Sequence, residues 1–119
     1  MSSENGLRYD QFELYDLKVI VESISGNCTC NMAVGDHFLM KGGKISLPDG
    51  EDFCLYAMQA SIPILPAKQR INHPADWMET DSHIICPDPA CQLVMRVERT
   101  GKRILSHDDV SPVPLDSDG

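Results

Sequence analysis

Apolar and polar residues alternate with a period of two in two well-separated parts of the chain. Apolar residues occupy every second position from 17 to 21 and again from 93 to 97, and they alternate in part with polar or charged residues such as Lys18 and Arg96. Successive side chains of a β-strand point to opposite faces of a sheet. The pattern therefore predicts two strands with one buried face each, the first over residues 15–24.

Shorter extended segments are predicted between these two strands. Residues 37–40 and 45–47 are short apolar runs on either side of Gly42-Gly43. A Gly-Gly pair between two such runs is typical of a β-hairpin. Residues 82–85, which end in Ile84-Ile85, predict one more strand that leads into a proline-containing turn.

One helix is predicted over residues 53–62. Its apolar face at helical spacing consists of Phe53, Tyr56, Ala57 and Ala60. We expect the acidic residues at positions 49, 51 and 52 to stabilise its first turn, and the prolines at positions 63 and 66 to end it. Residues 67–81 are expected to form a polar loop that contains Trp77. The fold class predicted is α+β: a small, bent antiparallel sheet or partial β-barrel of four to five strands, with one central helix.

Length and charge predict a single domain with acidic ends. The chain has 119 residues and a formal net charge of −8. We assign residues 1–16 to an acidic N-terminal extension, residues 17–105 to the domain, and residues 106–119 to an acidic tail that we expect to be disordered. A domain of this size needs neither disulfides nor a metal merely to fold.

The same composition excludes several functional classes. The chain has no cluster of Lys and Arg, which argues against binding to nucleic acid or to an anionic membrane. It has no apolar run long enough to span a bilayer, and the N-terminus lacks the features of a secretory signal. We therefore expect a cytoplasmic protein, and the reducing cytoplasm disfavours structural disulfides.

A series of short motifs resembles a known family. In chain order the motifs are Gly26-x-Cys28, Val34-Gly35-Asp36-x-Phe38, Gly42-Gly43, Phe53-Cys54-Leu55-Tyr56-Ala57 and Cys86-Pro87-Asp88-Pro89. Their order over residues 17–99 resembles a family of small, uncharacterised bacterial proteins that is common in anaerobes. The resemblance implies that Cys28, Cys54 and Cys86 are the family's recurrent cysteines. The family often has a histidine four residues after the first of these, where this chain has Met32.

The cysteines outside the helix predict a metal site. Cys28 with Cys30, and Cys86 with Cys91, form two closely spaced pairs in turns that flank predicted strands. Zinc and iron–sulfur clusters take four such ligands, commonly delivered as pairs. If the two turns meet in space, these four residues are the predicted ligands of zinc or of an iron–sulfur cluster.

Cys54 is the candidate for a reactive thiol. It lies in the first turn of the predicted helix, where free backbone N–H groups lower the pKa of a thiol. The nearby acidic residues oppose thiolate formation, and no histidine is tied to Cys54 by a local motif. The alternative for Cys54 is a small, buried apolar side chain that only packs the core.

No complete catalytic signature is present, so no residue is assigned as catalytic and the chain's status as an enzyme stays open. The acidic ends, the small size and Trp77 in a loop favour an accessory or binding subunit of a larger bacterial metabolic enzyme, in keeping with anaerobic metabolism. Its expected partner is a larger protein subunit or a second copy of the chain, with Trp77 at the interface. The alternative is a metal-binding or thiol redox protein that uses the cysteine turns.

Overall fold

An open, five-stranded antiparallel sheet forms the body of the protein. The structure is a computed structural model that describes residues 7–115. The strands are β1 (Gln11–Ile24), β2 (His37–Lys41), β3 (Lys44–Ser46), β4 (His83–Ile85) and β5 (Leu93–Ser106). Their order across the sheet is β3-β2-β1-β5-β4, so β3 and β4 are its edges. The predicted α+β class with an antiparallel sheet is confirmed in this coarse form, and the sheet is not closed into a barrel.

The two strands predicted from alternation form the centre of the sheet. β1 and β5 have 14 residues each and pair along their whole length, from Gln11 opposite Ser106 to Ile24 opposite Leu93. The buried positions are the predicted ones: Leu17, Val19, Val21, Leu93, Met95 and Val97 are all at most 7% exposed. The Gly42-Gly43 hairpin is also confirmed, since Lys41 pairs with Lys44 across a two-residue turn.

The helical part of the chain differs from the prediction at both ends. Helix α1 spans Leu55–Ser61, and its N-cap is Cys54, with no acidic residue in the first turn. The acids at positions 49, 51 and 52 lie in the preceding loop, so the expected stabilisation of the first turn was wrong. Tyr56 is 61% exposed, whereas Ala57 and Ser61 are buried. The face of α1 that packs on the sheet is therefore rotated away from Tyr56.

The two prolines do not end the helical segment. The chain continues through a 3₁₀ turn (Ile62–Ile64) into helix α2 (Leu65–Lys68). Pro63 and Pro66 each lie in the first turn of one of these elements. The missing N–H of a proline has no partner in a first turn anyway, so the residue is tolerated there. A further turn of helix, α3 (Trp77–Thr80), lies inside the segment predicted to be a loop.

Arg99 of β5 holds these short helices against the sheet. Its guanidinium donates to both carboxylate oxygens of Glu79 on α3, at 2.7 and 3.0 Å, and to the backbone carbonyls of Lys68 and Arg70. It also lies 4.6 Å above the ring of Tyr15 on β1. One side chain thus connects the two central strands, α2 and α3.

The regular structure extends into both acidic ends. β1 begins at Gln11, inside the segment assigned to the N-terminal extension, and helix α4 (His107–Val110) follows β5 directly. The outermost parts of the two ends, residues 1–6 and 116–119, lie outside the described residues. Within residues 7–115, no helix has the length and apolar character needed to cross a membrane.

Candidate functional site

The three loops that carry the cysteines meet at one end of the sheet. Residues 25–36 follow β1, residues 47–54 precede α1, and residues 86–92 connect β4 to β5. Because β1 and β5 are antiparallel neighbours, the end of β1 lies beside the start of β5, and Ile24 is paired with Leu93. This pairing brings the Cys28 turn and the Cys86–Cys91 turn together.

Backbone hydrogen bonds join these two turns directly. The N–H of Gly26 donates to the carbonyl of Cys91 at 3.1 Å, and that of Asn27 donates to the carbonyl of Ala90 at 2.9 Å. A Cβ atom on Gly26 would lie 2.0 Å from the Ala90 carbonyl oxygen, so only glycine permits this approach. The position of Cys28 relative to Cys91 is therefore set by the backbone.

All five cysteines of the chain line one cavity between these loops. Its volume is about 380 Å³. The lining residues are Cys28, Thr29, Cys30, Cys54, Tyr56, Cys86, Pro87, Asp88 and Cys91. Cys86 and Cys91 are buried, Cys28 and Cys54 are half-buried, and Cys30 is exposed. The cavity thus runs from an accessible thiol to thiols that solvent barely reaches.

Cys54 and Cys30 form a close thiol pair. Their Sγ atoms are 3.0 Å apart and share a hydrogen bond. The backbone N–H of Cys54 also donates to Sδ of Met32, with an N–S distance of 3.4 Å. Met32 therefore contacts this same cysteine.

The pKa values of the two thiols move in opposite directions. Burial, the largest single effect on Cys54, disfavours its thiolate, but hydrogen bonds from Cys30 and from the backbone N–H groups of Ala57 and Tyr56 outweigh it and lower the pKa. The hydrogen bond to Cys54, followed by burial, raises the pKa of Cys30 to about 11. Cys54 is therefore the thiol of the pair that ionises first, and once it is a thiolate the protonated Cys30 can donate to it.

The other three cysteines form a more deeply buried group. Cys86 is 6% exposed and Cys91 is 3% exposed. Burial, followed by hydrogen bonding with the Cys28 thiol, raises the pKa of Cys91 to about 12. Cys91 therefore keeps its proton at neutral pH.

These positions bear on the predicted metal ligands. The structure brings Cys28, Cys30, Cys86 and Cys91 to one cavity, and it adds Cys54, which the sequence treated separately. Within residues 7–115, however, no three His, Cys, Asp or Glu side chains are arranged to hold one metal ion. A zinc or iron–sulfur site that uses these sulfur atoms would need them to move, and it stays a prediction.

The predicted interface residue lies away from the cavity, and residues that the sequence did not assign to a site line it. Trp77 is 63% exposed and lies on α3, and it does not line the cavity. Thr29, Tyr56 and Asp88 line the cavity without having been assigned to a site from the sequence. Thr29 lies between Cys28 and Cys30, and Asp88 lies inside the turn between Cys86 and Cys91, which was the available signal. Tyr56 was interpreted as a core residue.

Comparison with known proteins gives no further indication of function. No family model, no curated protein and no solved structure matches the chain. The family resemblance described above therefore stays a prediction, and the functional argument depends on the site itself.

Proposed function

We propose that this protein is a thiol–disulfide redox protein whose reacting pair is Cys54 and Cys30. The observation that carries the proposal is the 3.0 Å distance between their Sγ atoms, inside a cavity that all five cysteines line. A disulfide has an S–S bond of about 2.05 Å, so the two sulfur atoms have to approach by about 1 Å. Both residues lie in loop or helix-cap positions, where such a movement is small.

The proposed chemistry begins at Cys54. Its thiolate attacks one sulfur of a low-molecular-weight disulfide, which forms a mixed disulfide and releases one thiolate. The sulfur of Cys30 then attacks the mixed disulfide at Cys54 and releases the second small thiol. The proton of Cys30 goes to that leaving group. The pair loses two electrons, and the small disulfide is reduced to two thiols.

Two alternative explanations of the cysteines fit less well. Packing as small apolar side chains explains Cys86 and Cys91, which are buried, but it does not explain Cys30, which is exposed. A metal site explains the convergence but needs a different arrangement of the sulfur atoms. The proposal places the protein in the cytoplasm, where the pair is kept reduced until an oxidant arrives.

The test is disulfide mapping on the full chain. The reduced protein is equilibrated with glutathione and glutathione disulfide, quenched with acid, alkylated and digested. We expect a Cys30–Cys54 disulfide that dithiothreitol reduces again. C30S should stop with glutathione attached to Cys54, while C86S, as the matched control, should still form the disulfide. Stoichiometric zinc or iron in protein purified without oxygen, together with no Cys30–Cys54 disulfide, would overturn the proposal in favour of the metal site.

A second candidate function is the accessory subunit, which Trp77 favours. It is the one tryptophan of the chain, it is 63% exposed, and Ile71, six residues earlier, is 65% exposed. Large exposed aromatic residues are enriched at the centres of protein interfaces. We expect the native protein in a cell extract to elute with a larger mass than one chain, and W77A to elute as the free chain. V113A removes a side chain of equal exposed fraction, 63%, and should leave the complex intact.

A further inference from the structure

The three remaining cysteines extend the site beyond a single thiol pair. Cys28 and Cys30 are separated by one residue and lie in the same turn, yet they adjoin different parts of the cavity. Cys30 shares a hydrogen bond with Cys54, whereas Cys28 directly follows Gly26 and Asn27, whose backbone N–H groups donate to the carbonyls of Cys91 and Ala90. The Cys28-Thr29-Cys30 turn therefore connects an outer pair of thiols to an inner pair.

The two pairs differ in their access to solvent. Cys30 is exposed, and Cys54 is half-buried at the N-cap of α1. Cys91 is 3% exposed, and its turn is held against residues 26 and 27 by backbone hydrogen bonds. An oxidant the size of glutathione disulfide can reach the outer pair, but it cannot reach Cys91 without opening the turn.

From this arrangement we propose, on the basis of the proposed thiol–disulfide function, that the cavity passes a disulfide inward from Cys30–Cys54 to Cys28–Cys91. In the first step the Cys28 sulfur attacks Cys30, which forms a Cys28–Cys30 disulfide and releases Cys54 as a thiolate. In the second step the Cys91 sulfur attacks Cys28, which forms the Cys28–Cys91 disulfide and releases Cys30 as a thiolate. The proton of Cys91 passes to Cys54, and Cys30 takes up the proton that Cys28 lost in the first step. No electrons enter or leave, since one disulfide and two thiols become another disulfide and two thiols.

The direction of transfer follows from the leaving groups. A thiol with a lowered pKa leaves faster and makes its disulfide easier to reduce. The pKa of Cys54 is lowered, whereas that of Cys91 is raised to about 12. The disulfide is therefore more stable on the inner pair. A second molecule of glutathione disulfide then reoxidises the outer pair, so the chain holds two disulfides and Cys86 stays reduced.

The experiment is a time course of oxidation of the full chain by glutathione disulfide, read by intact mass and disulfide mapping. We expect Cys30–Cys54 to form first, then Cys28–Cys91, with two disulfides per chain at the end. C91S, or C91A if the serine variant unfolds by circular dichroism, should stop at one disulfide. C86S should reach two.

The outcomes separate this inference from the proposed function. If Cys30–Cys54 never forms, the proposed function fails and the inference fails with it. If Cys30–Cys54 forms while Cys28 and Cys91 stay alkylatable in the wild-type protein, only the inference is overturned. Formation of Cys86–Cys91 instead, or formation of Cys28–Cys91 in C54S at the wild-type rate, also overturns it, because neither product requires transfer from the outer pair.

Discussion

The Sγ atoms of Cys54 and Cys30 lie 3.0 Å apart, although 24 residues separate them in the chain. The contact joins the N-cap of α1 to the turn that follows β1. It gives each thiol a different chemical role, because the hydrogen bond between them favours the thiolate of Cys54 and disfavours that of Cys30.

Cys54 should therefore be the fastest of the five cysteines to react with iodoacetamide near neutral pH. The lowered pKa gives it a larger thiolate fraction than a thiol of ordinary pKa, and the thiolate is the nucleophile. The measurement is quantitative mass spectrometry of cysteine peptides after short labelling times. C30A removes the hydrogen bond to Cys54 and should move the pH midpoint of Cys54 labelling upward, while C86A should not. Faster labelling of Cys28 or Cys30 in the wild-type protein would contradict this assignment.

Gly26→Ala should destabilise the protein and disturb the thiol cavity. The added Cβ would lie 2.0 Å from the Ala90 carbonyl oxygen, so the two turns have to separate. We expect a loss of about 1–3 kcal/mol in the free energy of unfolding, the range typical of overpacking. Urea denaturation measures this loss, and cysteine labelling should show faster reaction of Cys91.

The matched control for this substitution is Gly43→Ala. No atom lies within 4 Å of a Cβ built on Gly43, and its φ is outside the left-handed region. Its free energy of unfolding should stay within about 0.5 kcal/mol of the wild-type value. Equal effects of the two substitutions would show that the close approach at Gly26 does not matter for stability.

Phe38→Ala should loosen the start of α1 and with it the position of Cys54. The Phe38 ring is fully buried, and it packs edge-on against Phe53 with 5.0 Å between ring centroids. Loss of a buried phenylalanine costs about 3–5 kcal/mol, measured by urea or thermal denaturation. Val34→Ala, at a side chain that is 63% exposed, serves as the control and should have almost no effect.

The Glu79–Arg99 contact should make stability depend on acidic pH. The hydrogen bond from Arg99, followed by that from the Asn72 N–H, lowers the pKa of Glu79 to about 2, against an ordinary value of 4.5. A carboxyl group with a lower pKa in the folded state stabilises the fold above the unfolded-state pKa, and it loses this effect as the pH falls through the folded-state value. The contribution of Glu79 should thus be complete above about pH 5 and should decline towards pH 2.

Glu79→Gln tests this directly through urea midpoints at several pH values. The variant should be less stable than the wild-type protein at pH 7, and the difference should shrink between pH 5 and pH 2. Glu51→Gln, at an exposed position in the loop before α1, should show no comparable change. A difference between E79Q and wild type that stays constant down to pH 2 would show that the carboxylate charge is not what stabilises the contact.

Local patterns were sufficient for the centre of the sheet and failed for the helices. The alternation around Val19 and Met95 identified both long strands, because a two-residue period depends only on which side of a sheet is buried. The start of α1 was predicted from acidic residues that in fact lie in the preceding loop. Pro63 was expected to stop the helix. Instead it lies in the first turn of the following 3₁₀ helix, where a proline loses no hydrogen bond.

The sequence by itself determined which segments form the two long strands and that thiols would lie in the turns around Cys28 and Cys86. Only the tertiary structure decided that these turns and the start of α1 share one cavity, and that Cys54 contacts Cys30. The reason is physical. The cavity follows from the antiparallel pairing of β1 with β5, which sets Ile24 opposite Leu93 across a long stretch of chain. No local pattern of residues encodes a contact between such distant segments.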